Sequence, residues 1–130
     1  MPKESKIYKV IKKKCPRTKV YRIENAIDVG MPDMHYINEN TFGWIEAKQI
    51  TLPKKESTLI KIPFRPAQLE WIRQYRMKGD YLNVRMLLAV IDDYDVIRFA
   101  LNRDIRESYT REEFNSLRSL DDLKSLGILI

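Results

Sequence analysis

Two acidic residues and a lysine stand out in residues 30–48, which read GMPDMHYINENTFGWIEAK. Asp33 follows a Gly-x-Pro bend, and Glu46 and Lys48 lie in an apolar run further along the chain. If that run is a strand, Trp44, Glu46 and Lys48 share one face because side chains alternate. Glu46 and Lys48 are then about 6.6 Å apart, from a rise of roughly 3.3 Å per residue.

This spacing indicates a hydrolytic metal site. A strand carrying Asp33 beside the first would bring its carboxylate about 5 Å from Glu46. Two carboxylates and the Ala47 carbonyl could then hold Mg²⁺, with Mn²⁺ as a substitute. Such an ion activates water and offsets charge on a phosphoryl oxygen. Lys48 would orient that water or stabilise the developing charge. The alternative is a surface ion pair between Glu46 and Lys48 on an exposed sheet face.

Composition indicates a globular chain with a polyanionic partner. The 130 residues are 44% hydrophobic and carry a net charge of +6, with nine basic residues against one acid in residues 1–22. This imbalance favours nucleic acid as the partner. No stretch approaches the roughly 18 apolar residues of a membrane span. A lone cysteine, Cys15, excludes an internal disulfide and indicates a cytoplasmic protein.

Apolar periodicity predicts an α/β fold built on a mixed sheet, in one domain spanning residues 1–130. In order, the predicted elements are a helix at 4–14, strands at 19–24, 33–38 and 42–50, a helix at 65–78, strands at 84–91 and 94–100, and a helical tail. Pro66 suits the first turn of the second helix and Gly79 its end. Capping-box patterns at Thr110 and Ser119 predict short helices in the tail.

GMPD followed by WIEAK resembles the PD-(D/E)XK nuclease superfamily, and within it the small Holliday junction resolvase-like nucleases and their phage-encoded relatives. The resemblance covers about residues 4–100 and leaves the tail, from about 101 to 130, outside. It implies a restriction-endonuclease-like core in the order αβββαβ, a central mixed sheet flanked by helices. It also implies a catalytic set, which is Glu4 of the early helix, Asp33, Glu46, Lys48, and Gln68 of the RPAQ helix.

Function follows from the resemblance as an expectation. It implies a Mg²⁺-dependent endonuclease that cuts branched DNA such as Holliday junctions, and a homodimer that cuts two strands symmetrically. Two alternatives stay open at the level of sequence. One is a nuclease of the same fold acting on RNA or unbranched DNA, and the other is a catalytically inactive module that only binds nucleic acid.

Several assignments have a second interpretation. Glu4 could complete the site, or its charge could only interact favourably with the helix dipole. Glu24 could be the third carboxylate instead, or a solvated acid at the end of its strand. Gln68 could point into the site or cap its own helix. Arg65 could grip a phosphate or cover the helix end, and His35 could assist proton transfer or simply pack.

A basic cluster is the candidate contact with the DNA backbone, or else an ordinary solvated surface. Its members are Lys12, Lys13, Lys14, Arg17 and Lys19. The large aromatic residues Trp44, Phe64 and Trp71 are expected to pack in the core rather than to stack on bases.

Overall fold

A computed structural model describes residues 3–23, 30–82 and 84–130 of the chain. The helices are α1 (Glu4–Lys14), α2 (Pro66–Leu82), α3 (Arg111–Asn115) and α4 (Leu120–Ser125). The strands are β1 (Lys19–Arg22), β2 (Met34–Ile37), β3 (Phe42–Gln49), β4 (Ile60–Lys61), β5 (Val84–Ile91), β6 (Ile97–Leu101) and β7 (Ser108–Tyr109).

A mixed five-stranded sheet forms the centre of the fold. Its strand order is β1-β2-β3-β5-β6, and β4 and β7 form a separate two-stranded pair. Strands β3 and β5 run parallel and the other neighbours antiparallel. The crossover between the parallel strands contains α2, as parallel pairing requires. The predicted α/β fold with its αβββαβ core is therefore confirmed.

Two apolar cores cover the two faces of the sheet. On one face Ile7 and Ile11 of α1 pack against Ile45 and Leu87. On the other face Ile72 of α2 belongs to the second core, with partners from β5 and the tail. Residues 86–91 of β5 are all buried, because their alternate side chains enter the two cores in turn.

The tail from residue 101 onward contributes to both cores. Phe114 of α3 lies in the core beneath α2, whereas Leu123 of α4 lies in the core beneath α1. In the last apolar run, residues 127–130, Ile128 and Leu129 are buried in the α1-side core. Both predicted capping boxes are present, at Thr110 and at Ser119.

Several boundaries differ from those predicted. Helix α2 continues past Gly79 to Leu82, so the predicted stop at the glycine is wrong. Strand β6 begins at Ile97 rather than at residue 94, because the buried Asp92 carboxylate accepts the backbone N–H groups of Tyr94 and Val96 in the turn. The connection before α2 contains β4, a strand too short for periodicity to predict.

A glycine is required where β3 and β5 come together. A Cβ on Gly43 would lie 1.9 Å from the carbonyl oxygen of Arg85 in the neighbouring strand. Within the described residues, none of the helices has the length and apolar character needed to cross a membrane.

Candidate active site

Strand β3 places Glu46 and Lys48 on the α2 face of the sheet, as the alternation predicts. Ile45 and Ala47 belong to the α1-side core, and Trp44 packs at the margin of the other. Glu46 is 2% and Lys48 8% exposed, and the Lys48 Nζ lies 3.6 Å from Glu46 Oε2. The alternative of a surface ion pair is therefore wrong.

Gln68 connects the two charged side chains. Its Nε2 donates to Glu46 Oε2 at 3.0 Å, and its Oε1 accepts from Lys48 Nζ at 2.8 Å. The same Oε1 accepts from the backbone N–H of Arg65 at 2.9 Å, which gives a partner to one backbone donor at the start of α2. This one buried side chain therefore caps its helix and also contacts both Glu46 and Lys48.

Asp33 reaches the site from the start of β2. Its Oδ2 accepts from the backbone N–H of Ala47 at 2.9 Å. Gly30 permits the preceding bend, since a Cβ there would lie 2.7 Å from the carbonyl oxygen of Ala67 in α2. The Gly-x-Pro-Asp sequence therefore packs the bend against the helix that carries Gln68 and directs Asp33 toward β3.

The carboxyl groups of Glu46 and Asp33 interact directly. Burial raises the pKa of Glu46 to about 8, and the Asp33 charge and a side-chain hydrogen bond with Asp33 add to the rise. The nearby Lys48 ammonium opposes it. Two adjacent carboxylates repel each other where little water screens them, so the uptake of one proton is favoured. A bound cation would relieve this repulsion as well.

Glu4 approaches this pair from the opposite face of the sheet. Burial and the Asp33 charge raise its pKa, whereas Lys48 and the backbone N–H of Gln49 lower it. Glu4 and Asp33 together line a cleft of about 260 Å³. Glu4 is thus electrostatically coupled to the site in addition to lying in the first turn of α1.

Two further residues of this cleft were missed by the sequence reasoning, namely Tyr8 and Arg22. The Arg22 guanidinium lies over the Tyr8 ring at 4.4 Å from its centroid. Tyr8 follows Glu4 by one helical turn, so helix spacing could have indicated it. Arg22 depends on the pairing of β1 with β2, where it lies opposite Met34.

The remaining candidates lie elsewhere. Glu24 is outside the described residues. The His35 ring packs between two aromatic rings, with its centroid 6.4 Å from that of Tyr21 and 4.9 Å from that of Trp44. The Arg65 side chain is exposed at the start of α2.

The basic cluster is not part of the site. Lys12, Lys13 and Lys14 are exposed at the end of α1, about 12–15 Å along the helix from Glu4 at roughly 1.5 Å per residue. Arg17 is exposed and pairs with Glu39. Lys19 is exposed at the start of β1, on the side of the sheet facing away from α1.

Asp33 and Glu46 are the two carboxyl groups of this site that could hold a divalent cation. Among the described residues, no group of three or more His, Cys, Asp or Glu side chains is placed to hold a metal. Magnesium usually takes one or two carboxylates and completes its shell with water and substrate phosphate. Asp33 and Glu46 supply that number. The backbone N–H of Ala47 donates to Asp33 Oδ2, and the Ala47 carbonyl stays a predicted third ligand.

Comparison with known proteins gives a fold but no family. No protein-family model matches the chain, and no curated protein matches it significantly. Among solved structures, the chain is similar to Hjc from Archaeoglobus fulgidus, a Holliday junction resolvase from an archaeal hyperthermophile. The match has a TM-score of 0.67 at 11% sequence identity, over 95% of this chain and 96% of that one. The chain therefore shares the fold of that protein.

Proposed function

We propose that this chain is a Mg²⁺-dependent endonuclease that hydrolyses phosphodiester bonds in branched DNA. The observation that carries the proposal is the buried Glu46–Lys48–Gln68 cluster, joined to Asp33. Burying charged groups is costly, and an apolar set of similar volume is often at least as stable. The cost of burying these charged groups is explained if they act on a substrate, because perturbed charged groups concentrate at functional sites.

Each residue has a role in this proposal. Asp33 and Glu46 hold the ion, with Mn²⁺ able to replace Mg²⁺, and Glu4 adds negative charge from the cleft. When bound, the ion would supply Lewis-acid stabilisation and lower the pKa of water. Lys48 stabilises negative charge that develops on the phosphate. Gln68 fixes the positions of Lys48 and Glu46 through its two hydrogen bonds.

The substrate and the assembly are inferred from two supports. The first is the similarity in fold to a protein named as a Holliday junction resolvase. The second is the PD-(D/E)XK pattern of Asp33, Glu46 and Lys48. We infer a homodimer that cuts two strands symmetrically. We also infer that the protein is phage-encoded and acts in the cytoplasm of the host cell. The exposed basic cluster at the end of α1 would contact the DNA backbone away from the cut.

The test is a cleavage panel with Mg²⁺. Wild type and Glu46→Ala are incubated with a labelled four-way junction, a linear duplex, single-stranded DNA and RNA. The proposal expects paired cuts in the junction that are absent in Glu46→Ala. Cutting of RNA or linear duplex would keep the site and replace the substrate. Tight binding without any cleavage would show an inactive binding module instead.

A further inference from the structure

Helix α1 begins without a local cap. Its N-cap residue is Lys3, whose side chain makes no capping hydrogen bond, whereas α3 and α4 each begin with a complete capping box. Lys3 and Lys6 also place two positive charges at the first turn, where the helix dipole favours acidic side chains. The local sequence therefore supports the start of α1 poorly, and contacts with other parts of the fold become important there.

Asp95, in the turn between β5 and β6, binds both lysines. Its Oδ1 lies 3.1 Å from the Lys3 Nζ, and its Oδ2 accepts from the Lys6 Nζ at 3.2 Å. The two lysines lower the pKa of the Asp95 carboxyl, with Lys3 contributing most. Lys3 also donates from its Nζ to the Asp92 carbonyl at 3.3 Å and from its backbone N–H to Gln49 Oε1 at 3.1 Å. The start of α1 is thus attached to the end of β3 and to the β5–β6 turn.

The backbone of Asp95 has an unusual conformation. Its φ is +61°, in the left-handed region that residues with a side chain rarely adopt. The Asp92 carboxylate stabilises this turn by accepting the backbone N–H groups of Tyr94 and Val96. Aspartate and asparagine tolerate the left-handed region better than most residues, and glycine adopts it freely. The turn therefore presents the Asp95 carboxylate to α1 with little backbone strain.

Glu4 lies between the two anchored lysines in the chain. Its carboxylate accepts a hydrogen bond from the backbone N–H of Gln49, and it lines the active-site cleft together with Asp33. Gln49 follows Lys48 directly, so its contacts with the Lys3 backbone and the Glu4 carboxylate hold the first turn of α1 next to the site. A displacement of this turn would move Glu4 away from Asp33.

We propose that Asp95 is a positioning residue for the active site, because its contacts with Lys3 and Lys6 hold the first turn of α1 where Glu4 faces Asp33. This inference rests on the proposed function, in which Glu4 adds negative charge to the cation site. Asp95 touches neither the substrate nor the ion and acts only through α1. Both of its ion pairs are partly exposed, so the effect is moderate and is weakened by salt.

The experiment removes the Asp95 carboxylate without disturbing the turn. Asp95→Asn and Asp95→Gly are the test variants, since both new residues adopt positive φ readily. Asp93→Asn is the matched control, because Asp93 is an exposed acid of the same turn whose carboxylate accepts from the backbone N–H of Leu52 instead. Urea denaturation confirms that each variant is folded.

Three quantities are measured at low salt. The first is hydrogen exchange at the Gln49 backbone amide, followed by NMR, which reports whether Glu4 is in place. The second is the Mn²⁺ affinity of the protein without DNA, from water-proton relaxation. The third is the cleavage rate of a labelled four-way junction as a function of Mg²⁺ concentration.

We expect both Asp95 variants to speed exchange at Gln49 about 3- to 10-fold, the range for loss of two exposed ion pairs. Mn²⁺ affinity should fall about 2- to 5-fold, because only molecules with Glu4 in place bind the ion at full strength. The Mg²⁺ concentration for half-maximal cleavage should rise accordingly, and the rate at saturating Mg²⁺ should not change. Asp93→Asn should match wild type. Lys6→Gln should show part of the effect and add little to Asp95→Asn, because both changes remove the same ion pair.

Unchanged exchange at Gln49 in both Asp95 variants would overturn the inference, because α1 would then be held without this carboxylate. Faster exchange with unchanged Mn²⁺ affinity and unchanged Mg²⁺ dependence would also overturn it, since the contacts would then serve stability alone. A failure of the proposed function looks different. Wild type would then cut no nucleic acid, while exchange and Mn²⁺ affinity would still decide the role of Asp95. A wild type that also binds no Mn²⁺ would remove both.

Discussion

The buried Glu46 carboxyl predicts that stability falls as pH rises. Its pKa is about 8 in the folded protein, first because of burial and then because of Asp33, against an ordinary value of 4.5. Between these two values the folded state holds a proton that the unfolded state has released. The free energy of unfolding therefore decreases with pH in this window.

The magnitude follows from the shift. Each pH unit inside the window removes about 1.4 kcal/mol, so the loss between pH 5 and pH 8 is roughly 3 to 4 kcal/mol. Glu46→Gln has no proton to hold but keeps an oxygen for the Gln68 Nε2 donor. The variant should therefore lack this loss, and its advantage over wild type should grow as pH rises.

Urea denaturation at pH 5, 6, 7 and 8 in the presence of a chelator measures this difference. Glu56→Gln is the control, because Glu56 is an exposed glutamate. Its curve should parallel that of wild type at every pH. If Glu46→Gln also parallels wild type from pH 5 to pH 8, the carboxyl does not retain its proton in the folded protein, and the reasoning from burial is refuted.

Three further predictions concern the stability of the fold and the proposed DNA-binding surface. Gly43→Ala should destabilise the protein by more than about 3 kcal/mol in urea, because its Cβ would overlap the Arg85 carbonyl. Gly127→Ala, at φ +73° in a turn, should cost only about 1 kcal/mol, and equal effects would contradict this account. Replacing Lys12, Lys13 and Lys14 with serine should lower the salt slope of DNA binding by up to about 2.7, as measured by anisotropy, and an unchanged slope would remove the cluster from the interface. Thr110→Ala should lower the unfolding free energy by about 1 kcal/mol through loss of its capping box, whereas Thr110→Ser should retain it.

Much of the fold could be predicted because strong local signals agree with tertiary packing. The helix at residues 4–14 and the apolar run at 84–91 coincide with α1 and β5. The end of α2 could not be predicted, because a single glycine costs a helix only about 1 kcal/mol and is therefore a weak stop signal. The role of residues 101–130 was missed because their burial in two separate cores depends on long-range topology.

The part of the candidate site that lies on one strand, Glu46 and Lys48 of β3, could be predicted from the sequence. Alternation alone places Glu46 and Lys48 on one face, as observed. The two roles of Gln68 are visible only once α2 lies over β3. Tyr8 and Arg22 join the cleft through the packing of α1 on β1, which no local pattern specifies.

In the proposed function, Lys48 belongs to a phosphodiester-cleaving centre rather than to a binding surface. Single-turnover cleavage of a labelled four-way junction with Mg²⁺ tests it most directly, with DNA affinity measured on the same proteins. Lys48→Met should lower the cleavage rate at least about 100-fold, with affinity changed by less than about 3-fold. Lys61→Met, at an exposed lysine of β4, should leave both unchanged. Full cleavage by Lys48→Met, or a loss of affinity without any cleavage by wild type, would contradict the assignment.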